Sequence, residues 1–366
     1  MKIRCQTQML RDILQLANSV VSARSPKPVL ANVKIVADPE RTEILATDLE
    51  VAIRCILDQI DVDTKGEALV NAARLGNILR ECDDEFINIE RHGEQIKISY
   101  TNAEYELQCN DPEEYPEISE YDDTDTVKLS RQDLQKMIRY TAFSASRDAT
   151  SFALNGLFFV VRTGEIRLVG ADRHRLAFVK KKASNPDKAK AEVIVPTKAM
   201  EQLERMMTDE DETVGVKIEE KQILFKVASG VVVAHLVEGK YPDYENVVPQ
   251  DCDCKAEIDS QTLLHSVRKA APVSPEESKS VTLKLSKGRL VVLSTASEIG
   301  SAQIEVPIDY PGSDVHAAFN PIYLIDLLRV VEEETVRLEL KDSDSPGLIR
   351  VGKDYVYVLM PMHIDD

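Results

Sequence analysis

Apolar positions recur along this chain at helical spacing in three matched stretches. Leu10, Ile13, Leu14, Ala17 and Val21 share one face of a helix predicted over Gln8–Ser22. Leu134, Met137, Ile138, Thr141 and Ala142 do the same over Arg131–Phe143, and Leu263, Leu264, Val267 and Ala271 over Ser260–Ala271. A second kind of stretch places a short apolar strand, a helix-start signal and a helix in succession. It is A-L-V-N-A-A-R-L-G-N-I-L-R from Ala68, E-V-I-V-P-T-K-A-M-E-Q-L-E-R from Glu192 and H-A-A-F-N-P-I-Y-L-I-D-L-L-R from His316. These predict helices over Ala72–Glu81, Lys198–Met207 and Pro321–Val331. Val70, Val195 and Phe319 align in them, about 125 residues apart each time, which is the signature of an internal repeat.

Between the helices lie alternating runs that read as half-buried strands: Ile87-Ile89, Ile96-Ile98, Val214-Val216-Ile218, Ile223-Phe225-Val227, Val281-Leu283-Leu285 and Val336-Leu338-Leu340. Lys287-Gly288-Arg289 and Thr163-Gly164-Glu165 have the composition of hairpin turns. A further trio keeps the repeat step: I-L-A-T-D-L-E around Thr47, R-L-V-G-A-D-R around Ala171 and V-V-L-S-T-A-S around Thr295. The first two copies also share a Tyr-Pro ending, Tyr115-Pro116 and Tyr241-Pro242. The pattern predicts an α+β protein of three tandem copies, each with two helices packed on antiparallel sheet. Polar, acidic seams at Glu117–Asp125 and Val248–Asp253 divide it into residues 1–122, 123–250 and 251–366.

Charge changes this picture. The chain carries 45 Lys and Arg against 63 Asp and Glu, a net charge of −18. An acidic balance argues against a nucleic-acid partner, because phosphates are neutralised by cations. The six predicted helices reverse the sign, with about eleven basic against about six acidic residues, so strands and loops hold more than twenty excess negative charges. Such segregation lets one face attract phosphate while the rest repels it. Lys and Arg are also good helix formers, which is the simpler reading of the same count.

Candidate chemistry adds little. The six cysteines, Cys5, Cys55, Cys82, Cys109, Cys252 and Cys254, are scattered, and the Cys252/Cys254 pair lacks a second pair or nearby histidine to complete a tetrahedral metal site. Carboxylate pairs such as Asp83-Asp84 and Asp122-Asp123 read as solvated acidic loops, and no Gly-rich phosphate loop or nucleophile elbow occurs. Asp48 and Asp172 sit at equivalent repeat positions, which points to a shared structural role, such as turn or helix capping, rather than catalysis. No apolar run reaches the length of a membrane span, and the amino terminus lacks a signal-peptide shape, so a cytosolic protein without metal or cofactor is expected.

Seven motifs, in order, carry a family resemblance. They are R-x-x-x-P-V-L-A-N from Arg24, T-D-L-E at Thr47–Glu50, L-N-G at Leu154–Gly156 and A-D-R-H-R-L at Ala171–Leu176. The others are Y-P-D-Y at Tyr241–Tyr244, F-N-P-x-Y-L at Phe319–Leu324 and V-L-M-P-M at Val358–Met362. With these the chain resembles the bacterial DNA polymerase III β subunits, the sliding clamps, from Met1 to Ile364. The resemblance implies three clamp domains per chain and a head-to-tail homodimer ring around duplex DNA. Its partners would be replicative and repair polymerases, the clamp loader and other proteins with a clamp-binding peptide, acting at the nucleoid in the cytoplasm. It implies no catalytic activity of its own. An acidic three-repeat scaffold that binds peptides without DNA is the other reading that the repeats permit.

The same resemblance assigns residues. Its partner-peptide pocket would be walled by Leu154, Ala171, Arg173, His174, Arg175, Leu176, Pro242, Val247, Asn320, Tyr323, Val358, Leu359, Met360, Pro361 and Met362. Arg175 and His174 would hold the peptide's polar atoms. Arg24 and Lys198 are implied as DNA contacts, and Arg74, Arg80, Arg139 and Arg147 join them on charge and predicted helix position. The ring interface would set Leu75, Ile78, Tyr105 and Leu107 against Pro272 and Val273 of a second chain. Two departures from the family stand out: Asn246 replaces a commonly basic residue, and Asp365-Asp366 extend the tail.

Overall fold

The computed structural model describes residues 1–21, 27–148, 152–183, 190–274, 279–296 and 299–362. Six α-helices occur among them: α1 Thr7–Val20, α2 Ala72–Arg80, α3 Arg131–Thr141, α4 Thr197–Met206, α5 Ser260–Ala270 and α6 Pro321–Val330. Each matches a predicted helix to within a turn. The apolar stripes hold with a slip at the end. Val20 rather than Val21 closes the buried face of α1, Ala270 rather than Ala271 that of α5, and Ala142 falls in a 3₁₀ turn after α3. Val21 and Ala271 are C-cap residues that still donate to the Ala17 and Val267 carbonyls but flank the helix itself, so the buried stripe closes one residue before them. Side-chain caps start four of the helices: Asn71 accepts from Arg74 N, Ser130 from Asp133 N, Asp259 from Thr262 N and Asn320 from Ile322 N.

The chain packs as two compact units, Met1–Gln135 with Val195–Leu236, and Lys136–Ile194 with Val237–Asp366. The partition by packing therefore differs from the partition by repeat, because the middle copy contributes to both. Its strands Val127–Ser130, Thr213–Ile218, Gln222–Val227 and Gly230–His235 continue an eight-stranded antiparallel sheet begun by strands of the first copy. The join is the pairing of Gly230–Ala234 with Val51–Cys55. Gly230 is required there: its φ is +148°, and a Cβ would meet the Arg54 carbonyl oxygen at 1.9 Å. A five-stranded sheet completes this first unit, ending on the strand Ala103–Gln108.

The second unit repeats the plan. Strands Gly156–Arg162, Glu165–Ala171 and Arg175–Lys182 join Tyr355–Leu359, Gly347–Val351, Thr335–Leu340 and Cys254–Asp259 in another eight-stranded sheet, with Ala191–Pro196 at one end. The join here is Arg175–Val179 against Tyr355–Leu359. A four-stranded sheet runs from Gly300–Pro307 at one edge to Val315–Phe319 at the other. The predicted alternation holds in both units except at the strand end Ile218, which is half-buried: Ile87, Ile89, Ile96, Ile98, Val214, Val216, Ile223, Phe225, Val227, Val281, Leu283, Leu285, Val336, Leu338 and Leu340 are all buried. Burial on this scale, at about 25 cal/mol per Å² of apolar surface, is the main stabilising term.

Candidate functional site

The hairpin between Glu165–Ala171 and Arg175–Lys182 turns on Asp172-Arg173-His174. One Asp172 oxygen accepts from the backbone N–H groups of His174 (2.8 Å) and Arg175 (2.9 Å). The turn is thus held by its own first residue. Asp48 does the same in the first unit, accepting from Glu50 N and Val51 N at 3.0 and 2.8 Å. Of the two shared structural roles expected from the repeat, turn or helix capping, the aspartates perform the first.

Around the Asp172 turn lies an apolar cavity of about 270 Å³. Leu154, Ala171, Leu176, Tyr241 and Val358 form its inner wall, while Arg173, Pro242, Val247 and Met360 stand at the rim. Leu176 is only 5% exposed, whereas Val247 and Met360 show about two-fifths of their surface, unusual for large apolar groups. Tyr241 stacks on Phe158 with ring centroids 4.9 Å apart and donates its hydroxyl to the Val169 carbonyl at 3.4 Å. Burial pushes the Tyr241 and Tyr244 hydroxyls above the usual phenol range. Both rings are fixed parts of the wall.

The predicted pocket set divides. Leu154, Ala171, Arg173, Arg175, Leu176, Pro242, Val247, Val358 and Met360 line the cavity. His174, Asn320, Tyr323, Leu359, Pro361 and Met362 do not. His174 stacks its ring on Tyr323 at 6.2 Å and gives its carbonyl to Met360 N at 2.9 Å. Asn320 caps α6, and Met362 N donates to the Ala318 carbonyl at 2.8 Å. Leu359 points away from Val358 because strand residues alternate faces. Asp172, Tyr241 and Tyr244 are the lining residues that the motif reading passed over. The Y-P-D-Y motif contained the two tyrosines.

Arg175, expected to hold a peptide's polar atoms, already has partners within the chain. Its Nε donates to Asp172 at 3.0 Å, one terminal nitrogen to Asp326 at 2.7 Å and the other to the Phe143 carbonyl at 2.7 Å. Its guanidinium also lies 4.4 Å from the Tyr323 ring centroid. Burial disfavours the charge, but Tyr357, Asp326 and Asp172 together outweigh it and raise the pKa. Arg175 therefore ties the hairpin to α6 and to the segment after α3. Exposed Arg173 makes no such bonds among the described residues.

The predicted basic residues also divide. Arg24 lies outside the described residues, as does the tail beyond Met362. Lys198 Nζ is held by Asp48 at 2.6 Å and the Val20 carbonyl at 2.9 Å. Arg139 sits 3.7 Å from Glu332. Arg74, Arg80 and Arg147 are exposed and form no ion pair among the described residues. Arg80, Arg205 and Arg329 end α2, α4 and α6, one in the last turn of the second helix of each copy. Arg205, Arg329 and the Arg268-Lys269 pair of α5 were not singled out from sequence, although the repeat step links the first two to Arg80.

Of the proposed interface residues, Leu75 is fully buried in its own unit and cannot touch a second chain, because α2 turns it inward with Leu79. Ile78, Tyr105, Leu107 and Val273 are half-buried and Pro272 is exposed. Cys252 is buried, Cys254 lies 3.9 Å from the Ser313 hydroxyl, and no metal-binding group of three His, Cys, Asp or Glu occurs among the described residues. No helix among the described residues is long and apolar enough to cross a membrane.

In fold the chain is three tandem copies of a clamp-type α+β domain. Residues 1–119, 128–243 and 245–363 match, in that order, the N-terminal, central and C-terminal domains of the DNA polymerase III beta subunit. The beta sliding clamp of Pseudomonas aeruginosa is 31% identical, with the whole of both chains covered. The crystal structure of the Pseudomonas aeruginosa sliding clamp bound to griselimycin superposes with a TM-score of 0.93 at 30% identity over all of both chains. The Bacillus subtilis DNA polymerase sliding clamp does so at 0.94 and 25% identity, again over all of both chains. The chain belongs to the DNA polymerase III beta subunit family, the sliding clamps. Its function is that of a DNA clamp in replication, and it is a non-catalytic subunit rather than an enzyme.

Proposed function

We propose that the chain works as a head-to-tail two-chain ring that encircles duplex DNA and holds DNA polymerases, the clamp loader and repair proteins through the apolar cavity around Leu176. The cavity is the observation that carries the partner reading. It is open, apolar and bounded by Val247 and Met360, whose exposure is costly unless something covers them. A methionine at the rim adapts to varied guests. The griselimycin-bound Pseudomonas aeruginosa relative fits a ligand-taking surface in this family.

The ring reading rests on open sheet edges. The strand Ala103–Gln108, with Tyr105 and Leu107, ends the five-stranded sheet, and Gly300–Pro307 ends the four-stranded one. Unpaired edges at two different places on one chain suit a heterologous contact that closes into a ring. Its domains would be residues 1–122, 123–250 and 251–366, and its compartment the cytoplasm. Duplex DNA would meet Arg24, Arg74, Arg80, Arg139, Arg147 and Lys198, with Arg205 and Arg329 completing the repeated arginine of the second helices. Lys198 and Arg139 would contribute less, since each already faces a carboxylate. Weak phosphate contacts suffice when retention comes from a closed ring.

The test loads the protein with its ATP-driven loader onto nicked circular DNA. Retention in high salt, with release once the circle is linearised, is expected. Equal loss from both forms would leave the DNA-free peptide scaffold as the better reading. Solution mass near twice 41.0 kDa is expected for the two-chain ring.

A further inference from the structure

The first unit holds a second cavity at the place equivalent to the first. It measures about 140 Å³ and surrounds the Asp48 turn. The correspondence is residue by residue in backbone pairing. Ala52 opposite Val233 in the first unit stands where Leu176 faces Val358 in the second. His235 N donates to the Glu50 carbonyl at 2.9 Å, as Met360 N does to that of His174 at 2.9 Å. Pro116 and Pro242 occupy matched positions on the far wall.

The chemistry differs. The floor remains apolar, formed by buried Val51, Ala52, Ile118 and Val233. The polar wall is already satisfied, because Ser119 and Gln222 hydrogen-bond each other at 2.9 to 3.1 Å, and Asp48 is neutralised by Lys198. Glu50 and Glu117 are different. Both are exposed at the rim, and neither carboxylate has a hydrogen bond or ion pair among the described residues. Leu49 stands beside them, 41% exposed and at φ +81°, where leucine is rarely found. The space is below the range of small-molecule pockets and suits a single side chain.

We infer that this cavity is a second contact site, which takes one lysine or arginine side chain from a short basic segment of a partner protein. The aliphatic stem would lie on Ala52, Val51 and Val233 while the cationic head reaches Glu50 and Glu117, as long basic side chains commonly divide themselves. The match is one of charge: an apolar floor under two unpaired carboxylates disfavours an acidic guest and holds a cationic head more strongly than a neutral one. This site does not depend on the peptide reading of the Leu176 cavity, since no residue is shared.

The experiment uses full-length protein with labelled methyl groups. The probe is a blocked pentapeptide bearing one arginine among serines and glycines, and its twin with neutral citrulline for arginine. Saturable shifts at Val51, Ala52 and Val233 are expected, with the citrulline twin about fivefold weaker. The exposed double variant Glu50→Gln/Glu117→Gln should lose the same factor, and the charge-matched control Glu113→Gln/Glu114→Gln should lose none. Equal binding of both peptides, an equal loss in the control, shifts confined to Leu154, Leu176 and Val358, or no saturation would each overturn the inference. Titration of apolar peptides at Leu176 in the same variants reads the other cavity separately.

Discussion

In one unit a strand pair turns on Asp48 beneath an acidic rim; in the other the same pair turns on Asp172 beneath an apolar one. Backbone pairing, aspartate turn and proline wall are shared, so the scaffold does not decide what each cavity takes. A few side chains do. Leu176 becomes Ala52, Met360 becomes His235, and His174 becomes Glu50. The second difference is how tightly each turn is held. Asp172 has a guanidinium buried beside it that also binds Asp326 and the Phe143 carbonyl, whereas Asp48 has only the partly exposed ammonium of Lys198. Repetition supplied two copies of one cradle, and the two have separated in charge, size and rigidity.

The largest effect expected from this contrast is on stability. Asp172→Ala leaves Arg175, 11% exposed, short of a partner in low dielectric and should cost about 3 kcal/mol. Asp48→Ala releases Lys198 toward water and should cost about 1 kcal/mol. Chemical denaturation of both variants measures the gap, and equal losses would erase the distinction between the turns. Next, Leu176→Ala should weaken an apolar partner peptide by about 1–3 kcal/mol in calorimetric titration. The converse, Ala52→Leu, should cost under about 1 kcal/mol, because the new side chain enters existing space, and should block the basic pentapeptide.

A third comparison uses acid. Burial works against the charge of Glu333 in the second unit, but the hydrogen bonds from Lys136 and Tyr140, each 2.7 Å, prevail and hold its carboxyl below the usual range. A depressed carboxylate contributes stability that is present above the unfolded pKa of about 4.3 and is lost as pH falls through the folded value. The protection factor against exchange of the Glu332 amide, whose N–H donates to the Tyr140 hydroxyl, should therefore fall below about pH 4 and stay flat from 5 to 7. In Glu333→Gln the acid response should vanish. The smallest effect concerns thiols. Burial pushes Cys5 and Cys55 of the first unit up to about 12 and raises Cys252 of the second. None should react with a thiol reagent at pH 8 until the chain unfolds. Native labelling of Cys252 alone would show that the second unit opens first.

Much of this protein was determined by its sequence alone. Helical and alternating periods are local consequences of which residues must leave water, so all six helices and part of the core strands could be read directly, though not the strands that join the copies. The repeat step carried more. It paired Asp48 with Asp172 and Val70 with Val195 and Phe319, and the motif order pointed to the family. What a side chain does with its polar atoms was decided by tertiary structure. Arg175 reads as a holder of the guest's polar atoms, yet Asp172 in its own turn and two acceptors from distant segments, Asp326 and the Phe143 carbonyl, already engage all three of its nitrogens. Leu75 looked like an interface residue, yet the turn of α2 buries it. The packing of the middle copy into two units followed from strand pairing across repeats, which no local pattern encodes because either edge of a sheet can accept a neighbour. Period and motif report what must be buried, while hydrogen-bond partners and cavities depend on which distant surfaces meet.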